Sequence, residues 1–100
     1  MGMHDIRMTI DKAEPELRAA GVSALYLFGS EARGEASANS DVDLAFDVSE
    51  EADERFSLID QARVMLRLQE LLGRKVDLVE RKGLHRDLRP RIERDMVRLF

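Results

Sequence analysis

Apolar residues recur at steps of three and four along the first twenty positions, which is the spacing of one buried helix face. Gly21 follows this run, at a position where helices commonly end. Pro15 lacks the N–H that an interior helical residue donates, so we expect it to kink this helix or to begin a second helical piece. The apolar positions are Ile6, Ile10, Ala13, Leu17 and Ala20.

Short segments rich in apolar residues have the length and alternation of strands. After the first predicted strand we expect a turn with a short helix over residues 31–40, and after the second a solvated acidic loop over residues 47–54. Tyr26 lies inside an apolar segment and is expected in the core. The predicted strands cover residues 23–28 (SALYLF), 41–46 (DVDLAF) and 75–79 (KVDLV).

Residues 56–72 carry apolar side chains on two stripes of a predicted helix. A domain of ~100 residues cannot easily cover both, and exposed apolar patches usually mark contacts. We therefore expect the second stripe to form a protein interface together with the basic C-terminal segment, or to be covered by a C-terminal helix. The first stripe is Leu58, Ile59, Ala62, Met65, Leu66 and Leu72, and the second is Val64, Leu68 and Leu71.

The C-terminal segment, residues 84–100, is expected to be mostly helical, with Pro90 in its first turn. The predicted elements then run helix, strand, short helix, strand, helix, strand, helix, which indicates an α/β (α+β) chain. The chain has 100 residues, 44% of them hydrophobic, which suits one core and is too little for two. We expect one domain over residues 1–100, with self-association into a homo-oligomer as an open alternative.

Composition excludes several classes of protein. The chain has no cysteine, which excludes disulfides and thiolate metal sites. No segment approaches the ~20 apolar residues that span a bilayer, so we expect a cytoplasmic protein without a membrane association. The net charge of −4 argues against direct nucleic-acid binding. The last twenty residues nevertheless carry seven basic and three acidic side chains, which suits a solvated helix or a surface that meets a polyanion or an acidic partner.

One segment has the residue types of a phosphate and metal site. Gly29 and Ser30 follow an apolar strand, and glycine lets backbone approach a phosphate while serine donates to its oxygens. Ten residues later, Asp41 and Asp43 alternate with apolar residues, so both carboxylates project from one strand face. The parity of the third predicted strand permits Asp77 to join them if the strands pair.

Three carboxylates gathered in one pocket repel each other, and a divalent cation relieves that repulsion. Oxygen ligands without cysteine or a neighbouring histidine favour Mg²⁺ or Mn²⁺. Mg²⁺ is usually held by one or two carboxylates together with substrate phosphates, so this arrangement predicts a phosphorylated ligand.

The sequence GSEARGEASANSDVDL resembles the signature of the DNA polymerase β-like nucleotidyltransferase superfamily. The fuller match, with Ala32, Arg33, Gly34 and Ser40, is similar to its small branch, the minimal nucleotidyltransferase or MNT domain. The resemblance implies a nucleotidyltransferase fold with a small mixed β-sheet flanked by helices. It also implies that Asp41, Asp43 and Asp77 bind metal, with two Mg²⁺ ions expected, and that Gly29 and Ser30 hold the triphosphate of ATP. Arg33 either reaches the phosphates or the acceptor, or pairs with Glu31 or Glu35.

The resemblance leaves three functions open. In the first, the chain is an antitoxin that transfers AMP from ATP to a tyrosine of a HEPN-family toxin. In the second, it modifies a small molecule, as the aminoglycoside nucleotidyltransferases do. In the third, it binds a toxin without catalysis, which intact aspartates make less attractive. In the two enzymatic readings, Asp41, Asp43 and Asp77 are the catalytic residues.

Overall fold

A four-stranded mixed sheet organises the chain in this computed structural model, which describes residues 2–35 and 40–100. The strands β1 (Val22–Phe28), β2 (Val42–Val48), β3 (Val76–Glu80) and β4 (Val97–Arg98) lie in the order β3-β2-β1-β4. β1 is antiparallel to β2 and β4, whereas β2 and β3 are parallel. The helices are α1 (Met3–Ala19), α2 (Gly29–Arg33), α3 (Leu58–Leu72) and α4 (Arg89–Asp95), with a 3₁₀ turn at Arg81–Gly83. This architecture confirms the predicted fold class.

The hydrophobic core lies between one face of the sheet and the helices α1 and α3. α1 buries Ile6, Ile10, Ala13 and Leu17, as the spacing predicts. Pro15 lies inside this single helix, so the prediction of a second helical piece is wrong. The buried residues on both sides of Pro15 belong to the same core cluster, and their packing favours one continuous helix despite the missing hydrogen bond.

α3 buries Val64 and Leu68 of the second apolar stripe together with Leu72 of the first. Val64 and Leu68 are 4% and 0% exposed and pack in the core, whereas Leu58 and Leu66 are 82% and 53% exposed. The interface alternative is therefore wrong for Val64 and Leu68. These residues are covered inside the chain, as the other alternative has it, but the cover comes from β3 and α1 and not from a C-terminal helix. Ser57 caps the helix by accepting from the backbone N–H of Asp60 at 3.2 Å, and this cap fixes the start of the helix.

The C-terminal segment is less helical than predicted. Pro90 occupies the first turn of α4 as expected, but the helix ends at Asp95 and the chain continues into β4. The backbone N–H of Leu99 donates to Leu25 at 2.7 Å, which satisfies part of the outer edge of β1. The alternation of Val97 and Leu99 suits this strand, and Leu99 is 5% exposed.

The predicted turn with a short helix over residues 31–40 is confirmed only at its start. α2 begins two residues earlier, at Gly29, and ends at Arg33. Residues 36–39 of that prediction lie outside the described residues. Within residues 2–35 and 40–100, no helix combines the length and apolarity required to cross a bilayer.

Candidate active site

The candidate site lies at the end of the sheet where β1 finishes and β2 and β3 begin. Asp43 is the register partner of Phe28 on β1 and of Asp77 on β3. Side chains of register partners in neighbouring strands project to the same face. The face opposite the helical core therefore carries Asp43 and Asp77 side by side, on strands about 4.8 Å apart.

Gly29 lies directly against the carboxylate of Asp43. A Cβ atom at position 29 would collide with Oδ2 of Asp43, so any side chain there would displace the carboxylate. The φ angle of Gly29 is +71°, in the left-handed region that favours glycine. Ser30 follows in α2, where its carbonyl accepts from the N–H of Glu35 at 2.9 Å and closes the turn. Gly29 of the predicted phosphate-binding pair therefore lies next to Asp43, one of the predicted carboxylates.

The three predicted carboxylates differ in their surroundings. Asp43 is partly buried, whereas Asp41 and Asp77 are exposed. Partial burial raises the pKa of Asp43, the charges of Asp77 and Asp41 raise it further, and Arg33 lowers it. The ionised form of Asp43 is therefore disfavoured in the protein alone, and a cation bound beside its carboxylate would offset the repulsion from Asp77 and Asp41.

The donor set fits a hard divalent cation, since it consists of carboxylate oxygens on one face. Asp43 and Asp77 are paired by the sheet, and Asp41 lies just before β2 and acts on Asp43 through its charge. In the part of the chain that the structure describes, no three acidic or histidine side chains converge into a group that would hold an ion by themselves. An ion held here would complete its shell with water or phosphate oxygens, as Mg²⁺ commonly does.

Arg33 lies beside the carboxylates at the end of α2. Its Nε donates to Glu35 at 3.1 Å and its NH1 lies 3.9 Å from Asp95 of α4. Pairing with Glu35 was one of the predicted alternatives, whereas pairing with Glu31 was not found among the described residues. Arg33 also lines a cleft of about 400 Å³ next to Gly29, into which α4 contributes arginines.

A buried arginine that sequence analysis missed links the segments of the site. Arg74 precedes β3 and forms an ion pair with Glu31 of α2 in which both side chains are almost fully buried. Its NH2 also donates to the carbonyl oxygen of Ser40 at 2.7 Å. Glu31 is 7% exposed, which is unusual for a glutamate and is explained by this partner. No periodicity or spacing marks an arginine at this position, so only the charge of Glu31 hinted at a partner.

A second polar network was also missed, further along the same sheet face. Tyr26 is half-buried, not in the core as predicted, and its hydroxyl donates to Asp47 at 3.1 Å. Arg81 donates to the other oxygen of Asp47 at 2.9 Å. Asp47 is thus part of β2 and is paired, which corrects its assignment to a solvated loop. Burial raises the pKa of Tyr26, and the Asp47 charge adds to this effect.

With the geometry established, comparison with known proteins identifies the family. The nucleotidyltransferase domain family matches residues 10–99. The chain belongs to this family. The protein adenylyltransferase MntA of Thermococcus cleftensis is 33% identical over 96 residues, covering 95% of this chain and 93% of that protein.

Solved structures of the family have the same fold. One solved structure carries the provisional name of a minimal nucleotidyltransferase. Its TM-score against this chain is 0.80 at 34% sequence identity, and the match covers 97% of this chain and 95% of that chain. A toxin-antitoxin structure with AMP-PNP has a TM-score of 0.74 at 25% identity, covering 94% of this chain and 72% of its own. The nucleotidyltransferase family therefore accounts for nearly all of the described chain.

Proposed function

We propose that the chain is a metal-dependent adenylyltransferase that moves AMP from ATP onto an acceptor hydroxyl. The observation that supports this most strongly is the contact of Gly29 with Asp43, beside Asp77 in register. It brings a phosphate-binding turn and two carboxylates to one end of the sheet. The name of the Thermococcus cleftensis relative supports adenylyl transfer, and AMP-PNP in the toxin-antitoxin structure supports ATP as the donor.

In this proposal the site residues have separate roles. Asp41, Asp43 and Asp77 would hold the Mg²⁺, two ions in this proposal, and the bound metal would supply polarisation of the α-phosphate and a lower pKa for the acceptor hydroxyl. Gly29 lets the backbone of the turn pass directly against Asp43, which keeps the turn close to the carboxylates, and Ser30 would donate to oxygens of the triphosphate. Arg33 neutralises phosphate charge from the rim of the cleft. Asp77 is the carboxylate on the acceptor side and accepts the hydroxyl proton as the new phosphodiester bond forms and pyrophosphate leaves.

The proposed acceptor is a tyrosine of a HEPN-family toxin, which makes the chain an antitoxin. The toxin-antitoxin setting of the structure with AMP-PNP supports the antitoxin role, whereas the HEPN family and the acceptor tyrosine follow from the sequence resemblance alone. Under this proposal, residues 1–100 form a single domain, and the protein works in the cytoplasm. Besides binding a toxin, the chain could also associate with itself into a homo-oligomer under this proposal.

Isotope labelling tests the reaction and its acceptor. ATP labelled at the α-phosphate should transfer its label to a HEPN-family protein with an Arg-x₄-His motif when Mg²⁺ is present, whereas γ-labelled ATP should release labelled pyrophosphate. Replacing the acceptor tyrosine by phenylalanine should prevent labelling, and excess chelator should stop it. Label on an aminoglycoside but not on the protein would favour the small-molecule alternative. Inhibition of the toxin without any transfer would favour neutralisation by binding.

A further inference from the structure

Arg74 contacts two separate segments of the candidate site. One is α2, through Glu31, which is two residues after Gly29. The other is the segment before β2, through the carbonyl of Ser40, which immediately precedes Asp41. Arg74 itself lies three residues before Asp77. One guanidinium therefore connects α2, which begins at Gly29, with the residue that immediately precedes Asp41, and it does so from the segment that leads into β3.

The Arg74–Glu31 contact is shielded from water. The side chains of Arg74 and Glu31 are 11% and 6% exposed, so water does not compete for their hydrogen bonds as it does at the surface. The carbonyl of Lys75, the next residue, accepts from the N–H of Val42 at 2.9 Å and starts the β2–β3 ladder. The planar guanidinium can bond a carboxylate and a carbonyl at once, whereas an ammonium is a single point charge.

We propose that Arg74 is a positioning residue that sets the distance between the Gly29–Ser30 turn and the three aspartates. This inference rests on the proposed function, since it assigns the residue to the same reaction. Gly29 already contacts Asp43, so a small shift of α2 would change the space available to the triphosphate. Misplacement of reacting groups by about 1 Å can cost on the order of 100-fold in rate.

Steady-state kinetics with ATP and a HEPN-family acceptor test this role. Arg74→Met should lower kcat on the order of 100-fold with a change of less than about threefold in the KM for ATP, because each segment still binds but their relative placement is lost. Arg74→Lys should recover about tenfold, since it keeps the charge and loses one bond. The double variant Arg74→Met/Glu31→Gln should be no worse than Arg74→Met, because both remove the same contact.

Two controls separate positioning from general stability. Arg67 also pairs with a glutamate, Glu16, but both side chains are exposed, so Arg67→Met should keep kcat. Val64→Ala is a core change that lowers the melting temperature without touching the site, and it should keep kcat well below that temperature. If Val64→Ala and Arg74→Met show the same decrease in kcat when their melting temperatures are lowered equally, the positioning role of Arg74 is wrong.

Hydrogen exchange gives a readout that does not depend on transfer. In Arg74→Met, the backbone amides of α2 and of residues 40–43 should exchange faster, while those of α1 and of the distant half of β1 stay protected. Uniform change along the chain, or no change at these amides, would overturn the inference. If the wild type transfers no AMP, the proposed function fails, and the exchange pattern alone still decides whether Arg74 couples the two segments.

Discussion

Asp43 lies at the centre of the proposed site, and its environment combines partial burial with like charge. Strand alternation correctly placed Asp43 on the face opposite the core, and the register brings Asp77 beside it. The contact with Gly29 could be inferred only loosely, from the Gly-Ser pair and its spacing. Periodicity reports which face a side chain occupies, whereas a contact between segments ten residues apart depends on the turn between them.

The raised pKa of Asp43 predicts an unusual effect on stability. Burial and the neighbouring aspartates disfavour its ionised form, so the native state binds the proton more tightly than the unfolded state does. Without metal at pH 7, Asp43→Asn should therefore raise the melting temperature by about 2–5 °C. The difference in melting temperature between Asp43→Asn and the wild type should shrink as the pH falls through the raised pKa of Asp43, because the wild-type carboxyl group then becomes neutral too.

Melting curves with and without Mg²⁺ measure this effect. Mg²⁺ with ATP should stabilise the wild type and leave Asp43→Asn nearly unchanged, because binding to the native state alone raises stability. Asp53→Asn, an exposed change in the loop beyond the other end of β2, serves as a control without effect. A lower metal-free melting temperature for Asp43→Asn at pH 7 would show that the carboxylate is stabilised in the protein, contrary to this account.

Arg74 illustrates what a single sequence does not reveal. Arg33 was considered for Glu31 or Glu35 because these residues are close along the chain, and it does pair with Glu35. The partner of Glu31 is instead Arg74, 43 residues away. Ion pairs between distant segments leave no periodic signal, so the residue that links the site segments becomes visible only in three dimensions.

At the level of elements, α3 shows the limit of hydrophobic patterning. The sequence predicts a helix with apolar residues on two sides, and the structure confirms the helix. Patterning alone could not decide which residues of the two stripes are buried, because both stripes contain leucines of equal hydrophobicity, and the buried set takes Val64 and Leu68 from one stripe and Leu72 from the other. The choice depends on packing against α1 and β3.

Unfolding measurements on two leucines of α3 test the assigned orientation. Leu68→Ala should lower the free energy of unfolding by about 3 kcal/mol, because Leu68 is 0% exposed and its loss leaves a cavity. Leu66→Ala is the matched control on the exposed side and should cost less than about 0.5 kcal/mol. Urea titrations followed by circular dichroism give both values. Equal losses of unfolding free energy in the two variants would contradict the assigned orientation of α3. A larger loss for Leu66→Ala would show that the opposite side of the helix faces the core.

The C-terminal strand was missed for a related reason. Residues 97–100 are too few for a periodic signal, and the preceding helix made continued helix the simpler prediction. The deciding factor is the open edge of β1, whose N–H and C=O groups need partners. Such a requirement belongs to the sheet and is not encoded in the four residues themselves.

For the whole molecule, the sequence predicts the fold class and the family well. The order of the first six elements and the resemblance over residues 29–44 were sufficient, and the family match over residues 10–99 agrees with them. The acceptor is a different matter, because it depends on a surface that meets another molecule.

The central claim is that the carboxylates at the end of the sheet carry out AMP transfer, and the transfer rate of carboxylate variants tests it most directly. Wild type, Asp43→Asn, Asp77→Asn and Asp53→Asn would be incubated with α-labelled ATP, Mg²⁺ and a HEPN-family acceptor, after circular dichroism has shown that each is folded. Asp43→Asn and Asp77→Asn should each lose at least about 100-fold of the rate, because an amide keeps the shape but removes the ligand charge. Asp53→Asn should transfer at the wild-type rate. Wild-type rates in Asp43→Asn and Asp77→Asn would contradict the account.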